Sequence, residues 1–136
     1  MAAELGFEAI LPLPFDAAIE RVTEALRSEG FGVLTRIDVH DTLRKKIGVD
    51  FRPYAILGAC NPQLAHQALS ARAEVGLMLP CNVTVEAAGE DRSLVRIADP
   101  GMMMTVGDLE GVEALQRVGA EARERLLRVA NALRAD

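Results

Sequence analysis

The sequence has no tryptophan, one tyrosine and four phenylalanines in 136 residues. That leaves little aromatic surface on which nucleic-acid bases could stack. Basic residues are in the minority, 15 Lys and Arg against 20 Asp and Glu, and a net charge of -5 disfavours contact with nucleic-acid phosphates or anionic lipid. Two cysteines, Cys60 and Cys81, are too few for a disulfide scaffold, and two histidines, His40 and His66, exclude a multi-histidine metal cage within one chain. No stretch approaches the roughly 18 consecutive apolar residues of a membrane span. Met1 to Gly6 has no basic segment running into a long apolar stretch, so a cytoplasmic location is expected. Phosphate-binding and dinucleotide-binding glycine loops, a nucleophile elbow and a His-Glu-x-x-His pair are all missing.

What is present suits a single domain over residues 1–136. Half of the residues are hydrophobic and 26% are charged, with no repeat and no Gly/Ser/Pro linker. A chain of this length buries roughly two-thirds of its unfolded surface, enough for a core without disulfides or a structural metal.

Alternation from Leu5 to Leu11 predicts a strand, and Pro14 with Asp16 opens a helix carrying Phe15, Ile19, Val22 and Leu26 to a stop at Gly30. Val33, Thr35, Ile37 and Val39 predict a second strand with one buried face, followed by a short helix over Asp41 to Ile47. Tyr54 to Ala59 is apolar on both sides, as a central strand would be. Asn61 is a good N-cap and Pro62 a good first helical residue for a helix to Ala71, with Leu64, Ala65, Ala68 and Leu69 inward. Leu77 to Glu86 reads as a strand in which Pro80 marks an edge or a bulge, and a turn at Ala87 to Asp91 leads into Arg92 to Ala98. Met102 to Val106 receives no assignment. Leu109, Val112, Leu115, Val118, Ala122, Leu126, Val129 and Leu133 step by three or four through a long C-terminal helix.

The order βαβαβαββα predicts an α+β domain with a mixed β-sheet of about five strands and helices packed on one face. On the other face the strand parities put Ile10, Leu34, Leu57, Met78 and Leu94, an apolar set that a homodimer or a ligand groove would cover.

Chemistry concentrates in Gly58-Ala59-Cys60-Asn61-Pro62, with His66 four residues on. A cysteine just before a helix N-terminus sits where free N–H groups and the dipole lower a thiol pKa. A thiol beside an imidazole serves a cysteine nucleophile, and equally a soft metal or haem iron. The candidate ligand-binding residues are Cys60, Asn61, Pro62, His66 and Asn82, and the candidate metal ligands are Cys60, His66 and Cys81. Plainer readings stand beside these: an inert buried Cys60, Cys81 packed with Leu79, Val83 and Val85, a surface His66 and a solvated His40. Met102-Met103-Met104 could offer thioethers to copper, but Met also fills irregular core gaps. Asp50-Phe51-Arg52-Pro53-Tyr54 could shape a pocket rim or anchor a loop.

Several of these segments carry a likeness. Glu29 to Thr35 (EGFGVLT), Ile37-Asp38-Val39, Thr42-Leu43, Gly48-Val49-Asp50, Tyr54, Leu57 to Pro62, Leu64-Ala65-His66, Ala68-Leu69, Gly76-Leu77 and Leu79 to Val83 together resemble the domain of unknown function 302 family. The resemblance covers nearly the whole chain, and the Gly-Ala-Cys-Asn-Pro and Leu-Pro-Cys-Asn segments are its most specific parts. It implies a small bacterial or archaeal α+β domain that forms homodimers, with Cys60, Asn61, Pro62, His66, Cys81 and Asn82 in motif positions and no activity to carry over. His40 is outside the motifs.

The leading expectation is a cytoplasmic homodimer without catalysis, binding a small ligand, haem or a soft metal near Cys60 and His66. A thiol-dependent enzyme or redox protein using Cys60 as nucleophile is the alternative, and a structural protein-interaction dimer is the third reading.

Overall fold

The computed structural model of the chain describes residues 5–136. Residues 1–4, most of the segment read above for a leader, lie outside the described residues. Five strands, β1 (Gly6–Leu11), β2 (Gly32–Asp38), β3 (Tyr54–Cys60), β4 (Cys81–Ala87) and β5 (Ser93–Ala98), form one sheet in the order β1-β5-β4-β3-β2. The helices are α1 (Phe15–Ser28), α2 (Val39–Ile47), α3 (Pro62–Ala71), the short α4 (Pro100–Met103) and the 22-residue α5 (Glu113–Arg134). Among the described residues no helix is long and apolar enough to cross a membrane.

Local chemistry accounts for most of these elements. In β1 the alternation buries Phe7, Ala9 and Leu11 while Glu8 and Ile10 face outward. Helix α1 turns Ala18, Ile19, Val22, Ala25 and Leu26 inward, and the chain leaves it through Gly30 at φ 84°, a left-handed conformation that costs glycine little. The α5 stripe of Leu115, Val118, Gly119, Ala122, Leu126, Val129, Ala130 and Leu133 is buried along its length. Helices α1, α3 and α5 enclose the core against one sheet face.

Every strand pairing is antiparallel, where a mixed sheet was expected. The β1-α1-β2 connection does join two strands that run the same way. They sit at opposite edges with the other three strands between them, so they never pair.

A second difference is in β2. Its alternation suggested one buried face, yet no residue of β2 is buried and the pairing register slips between Val33 and Thr35. Strand β2 is an edge, only Val33 of its apolar residues packs against the core, and α2 likewise buries no residue. A third is the start of β4: residues 73–78 form 3-10 turns, so Pro80 precedes the strand and creates no bulge within it, and the Leu79–Pro80 bond is cis. Leu57 and Met78, expected on the second face, are respectively in the core and in that 3-10 segment. Leu69, expected inward, is exposed, while Leu64 and Ala68 are buried. Ile10 and Leu94 do pair on the open face. The unassigned stretch after Asp99 is α4, whose N-cap is Asp99 itself, and a 3-10 turn over residues 107–111.

The open face carries one buried charge. Glu86 is 6% exposed, covered by Arg52, whose Nε donates to it at 2.6 Å, and by Arg96, whose Nη1 donates to the other carboxylate oxygen while its Nε reaches Glu8 at 3.2 Å. Burial alone would raise the Glu86 carboxyl, but the hydrogen bonds and charges of Arg52 and Arg96 outweigh it and hold the carboxyl below the usual range. The segment before β3 is therefore an anchor, as one of its two readings held. Its Arg52 also stacks on Phe51, 4.5 Å from the ring centroid.

Glu86→Gln should lose about 1–3 kcal/mol at neutral pH, measured by denaturant unfolding, because two guanidinium groups lose a charged acceptor. The Glu86 carboxyl is depressed in the folded state, so its stabilisation is complete above the unfolded value of about 4.3 and is lost as the pH falls through the folded value. The gap between the native protein and the variant should close over that acid range. A gap that stays constant with pH would contradict this assignment.

Candidate functional site

The β3 to α3 junction is built for close approach. Gly58 pairs with Asn82, and a Cβ at Gly58 would collide with Thr35 Oγ1 and lie 2.8 Å from Pro80 Cγ. Two residues on, Cys60 ends the strand opposite Gly32. Asn61 is buried and caps α3, its Oδ1 accepting the Leu64 N–H at 3.1 Å, with Pro62 in the first turn. The capping residue and the start of the helix are those expected.

The second cysteine opens β4 and pairs with Ala59, the neighbour of Cys60, so the two thiols arrive at the same end of the sheet. Helix α4 closes over this end. Asp99 accepts the Gly101 N–H at 2.9 Å and the Arg123 Nε–H at 3.1 Å, which ties α4 to α5. Gly119 of α5 lets α4 come near: a Cβ there would lie 2.9 Å from Met104 Cγ and 3.2 Å from the Pro100 carbonyl oxygen.

Between α3, α4, α5 and the strand ends is a cavity of about 40 Å3 whose wall includes Cys60, Asn61, Cys81, Met103, Met104 and Gly119. A water needs roughly 10–15 Å3 of such space, so this one holds only a few atoms. No residue of the wall carries a charged side chain or an imidazole.

Burial pushes the Cys60 thiol up, and burial followed by the nearby Cys60 pushes Cys81 up to about 11. This reverses the expected lowering at a helix N-terminus. Pro62 has no N–H, Asn61 Oδ1 takes that of Leu64 and the Asn61 carbonyl takes that of Ala65, so the first turn of α3 has few free donors to offer a thiolate.

The other expected site residues separate. Pro62 and His66 are exposed on α3, and His66 is not in the cavity wall. Asn82 is exposed on the open sheet face, across β4 from the buried Cys81. It lines a groove of about 430 Å3 with Tyr54, Thr84, Arg96 and Met102, where the buried Thr84 Oγ1 has no hydrogen-bond partner. His40, read as solvated, is partly buried: its Nδ1 accepts the Tyr54 N–H at 3.0 Å and its ring meets Phe15 edge-on at 5.6 Å. Among the described residues no three of His, Cys, Asp and Glu gather to hold a metal ion. The Cys60, His66 and Cys81 set is therefore not assembled.

Sequence reasoning passed over Asp99, Arg123 and Gly119. Asp99-Pro100 repeats the cap-then-proline signal of Asn61-Pro62, which could have revealed α4.

The family model for the domain of unknown function DUF302 matches residues 7–133. The crystal structure of an uncharacterized conserved protein DUF302 from Bacillus stearothermophilus is similar to this chain at 31% sequence identity and a TM-score of 0.83, covering 97% of this chain and 100% of that one. No curated protein matches the chain.

Alkylation of the native protein, followed by mass spectrometry over a pH series, should modify Cys60 slowly at neutral pH and faster only beyond the ordinary thiol range of about 8.5. Cys81 should stay unmodified until the pH is far more alkaline or the protein is unfolded. Rapid alkylation of Cys60 at neutral pH would show a stabilised thiolate and contradict the burial argument.

Proposed function

The chain belongs to the DUF302 family, and from that premise we propose that it is a cytoplasmic, homodimeric binding domain without catalysis of its own, receiving its ligand in the cavity beside Cys60 and Cys81. The observation that carries this reading is that the chain's two cysteines line one cavity while His66 is outside it. A nucleophilic cysteine is activated by an adjacent base or a lowered pKa, and here the cavity wall offers no base while burial pushes both thiols up. The volume favours an ion or a ligand of few atoms. Haem belongs to the class of ligands that take roughly 300–1,000 Å3, far more than the 40 Å3 here. A reducing cytoplasm suits a pair of free thiols.

The homodimer is supported by β2 and α2. Leu34 and Ile37 on β2 are 67% and 50% exposed, and Ile47, Val49 and Phe51 on α2 and the following loop are exposed as well. A nine-residue helix with no buried residue is too short to hold together by itself in water. A second copy can supply the missing cover by pairing β2 with β2 around a two-fold axis. Centred on Ile37, such an antiparallel pairing sets Arg36 opposite Asp38 of the partner subunit twice over, with the two isoleucines meeting on the other face.

Two measurements test the two halves of this reading. Light scattering behind size exclusion should give a dimer, and Ile37→Lys with Leu34→Lys should give a monomer with an unchanged circular-dichroism spectrum; a monomeric native protein over a wide concentration range contradicts the dimer. Protection of Cys60 from alkylation should appear with at least one of a panel of small probes and soft ions. If none protects it, the cavity is packing and the binding reading fails.

A further inference from the structure

Resting on the reading of the cavity as a binding site, we propose that its occupant is a soft monovalent metal ion, copper(I), held by the thiolates of Cys60 and Cys81 and the thioethers of Met103 and Met104. The donor set selects the ion. All four residues line the same cavity, and every side-chain donor they offer is sulfur. Calcium and magnesium require oxygen ligands, and zinc sites draw on imidazole, carboxylate or at least three thiolates, none of which this wall provides. Thiolate with thioether is the combination that favours copper(I) over harder ions. A cavity of about 40 Å3 accommodates an ion and leaves little room for water around it.

The placement of the sulfurs also gives the ion a route. Cys60 and Met103 are partly exposed, while Cys81 and Met104 are buried behind them. An ion delivered to the outer pair can pass inward by exchange of sulfur ligands without returning to water. The supports of the site are outside it. Asp99 holds α4 through its cap and through Arg123, and Gly119 leaves room for Met104 against α5. No oxidation step is involved: one copper(I) replaces two S–H protons, which leave to solvent, and the bis-thiolate carries one net negative charge.

The test is a titration of the reduced full-length protein with copper(I) in the absence of oxygen, against the chromogenic chelator bathocuproine disulfonate. The expected result is one ion per chain taken from the chelator, two protons released per ion, and an X-ray absorption spectrum with sulfur alone around the metal. Cys60→Ser should abolish this binding. Met103→Leu combined with Met104→Leu should weaken it by roughly 10-fold or more, the scale on which groups supporting a metal ligand matter. Because Cys81→Ser introduces a hydroxyl into the core and could unfold the protein, the Cys60 and methionine variants, with their folds checked by circular dichroism, decide the matter. Copper left with the chelator, undiminished affinity in Cys60→Ser, or nitrogen or oxygen in the metal's first shell would each overturn the proposal. If copper(I) fails but another probe protects Cys60 from alkylation, the copper assignment falls and the binding site remains; if nothing protects Cys60, both fall.

Discussion

Helix α5 has to pack against β1, α1, α3 and α4 at once, and the rest of the molecule follows from how its stripe meets that demand. Toward its C-terminal end the stripe is Leu126, Val129 and Leu133, large side chains that fill the space under the sheet. Between Val118 and Leu126 it narrows to Gly119 and Ala122, and both of these line the cavity. A helix with leucine throughout would force α4 away from it. Insertion of even a few extra carbons into a packed interior costs about 1–3 kcal/mol through strain. The cavity beside the thiols thus arises where α5 gives up volume, and the same small residues let α4 lie close enough to bring Met103 and Met104 to its wall.

The parts of this fold that are legible in the sequence are those set by local periodicity and capping. The stripes of α1 and α5 and the Asn61-Pro62 start of α3 follow from residue spacing, and α3 runs from Pro62 to Ala71 as its cap and pattern predict. Burial is another matter. Val33, Thr35 and Ile37 alternate as cleanly as Val83 and Val85 do, yet β4 lies inside the sheet and β2 at its edge. Alternation reports that a strand has two different faces and cannot report what covers them. The order β1-β5-β4-β3-β2 is likewise a non-local outcome, so a sheet expected to be mixed is wholly antiparallel.

The candidate site divides along the same line. That Cys60 stands at a strand-to-helix junction is local and legible. That Cys81 joins it depends on the pairing of Ala59 with Cys81 across 22 positions of sequence, which only the sheet register supplies. The spacing of Cys60 and His66 suggested a thiol-imidazole pair, but the helix that carries His66 leaves it exposed and outside the cavity whose wall includes Cys60. Membership in one motif does not place side chains on one surface. Asn82 makes the same point, since it is adjacent to Cys81 in the chain and on the opposite side of the sheet.

The register also joins the cavity to the exposed arm. Gly32 pairs with Cys60 and Val33 with Ala59, so the first residues of β2 lie directly against the strand end that carries the outer thiol. Thr35 lies over Gly58, where even a methyl group would collide with it. The backbone of β2 cannot shift at this end without disturbing the residues that present Cys60. Conversely, an occupant that fixes Cys60 fixes the part of β3 on which β2 rests. Any difference in affinity that a ligand shows between paired and unpaired states of β2 must appear, with the same magnitude, as a difference in pairing between filled and empty cavities. The slip in register between Val33 and Thr35 falls between the cavity end of β2 and its exposed centre at Ile37, and such an extra residue locally interrupts the ladder and bends the strand.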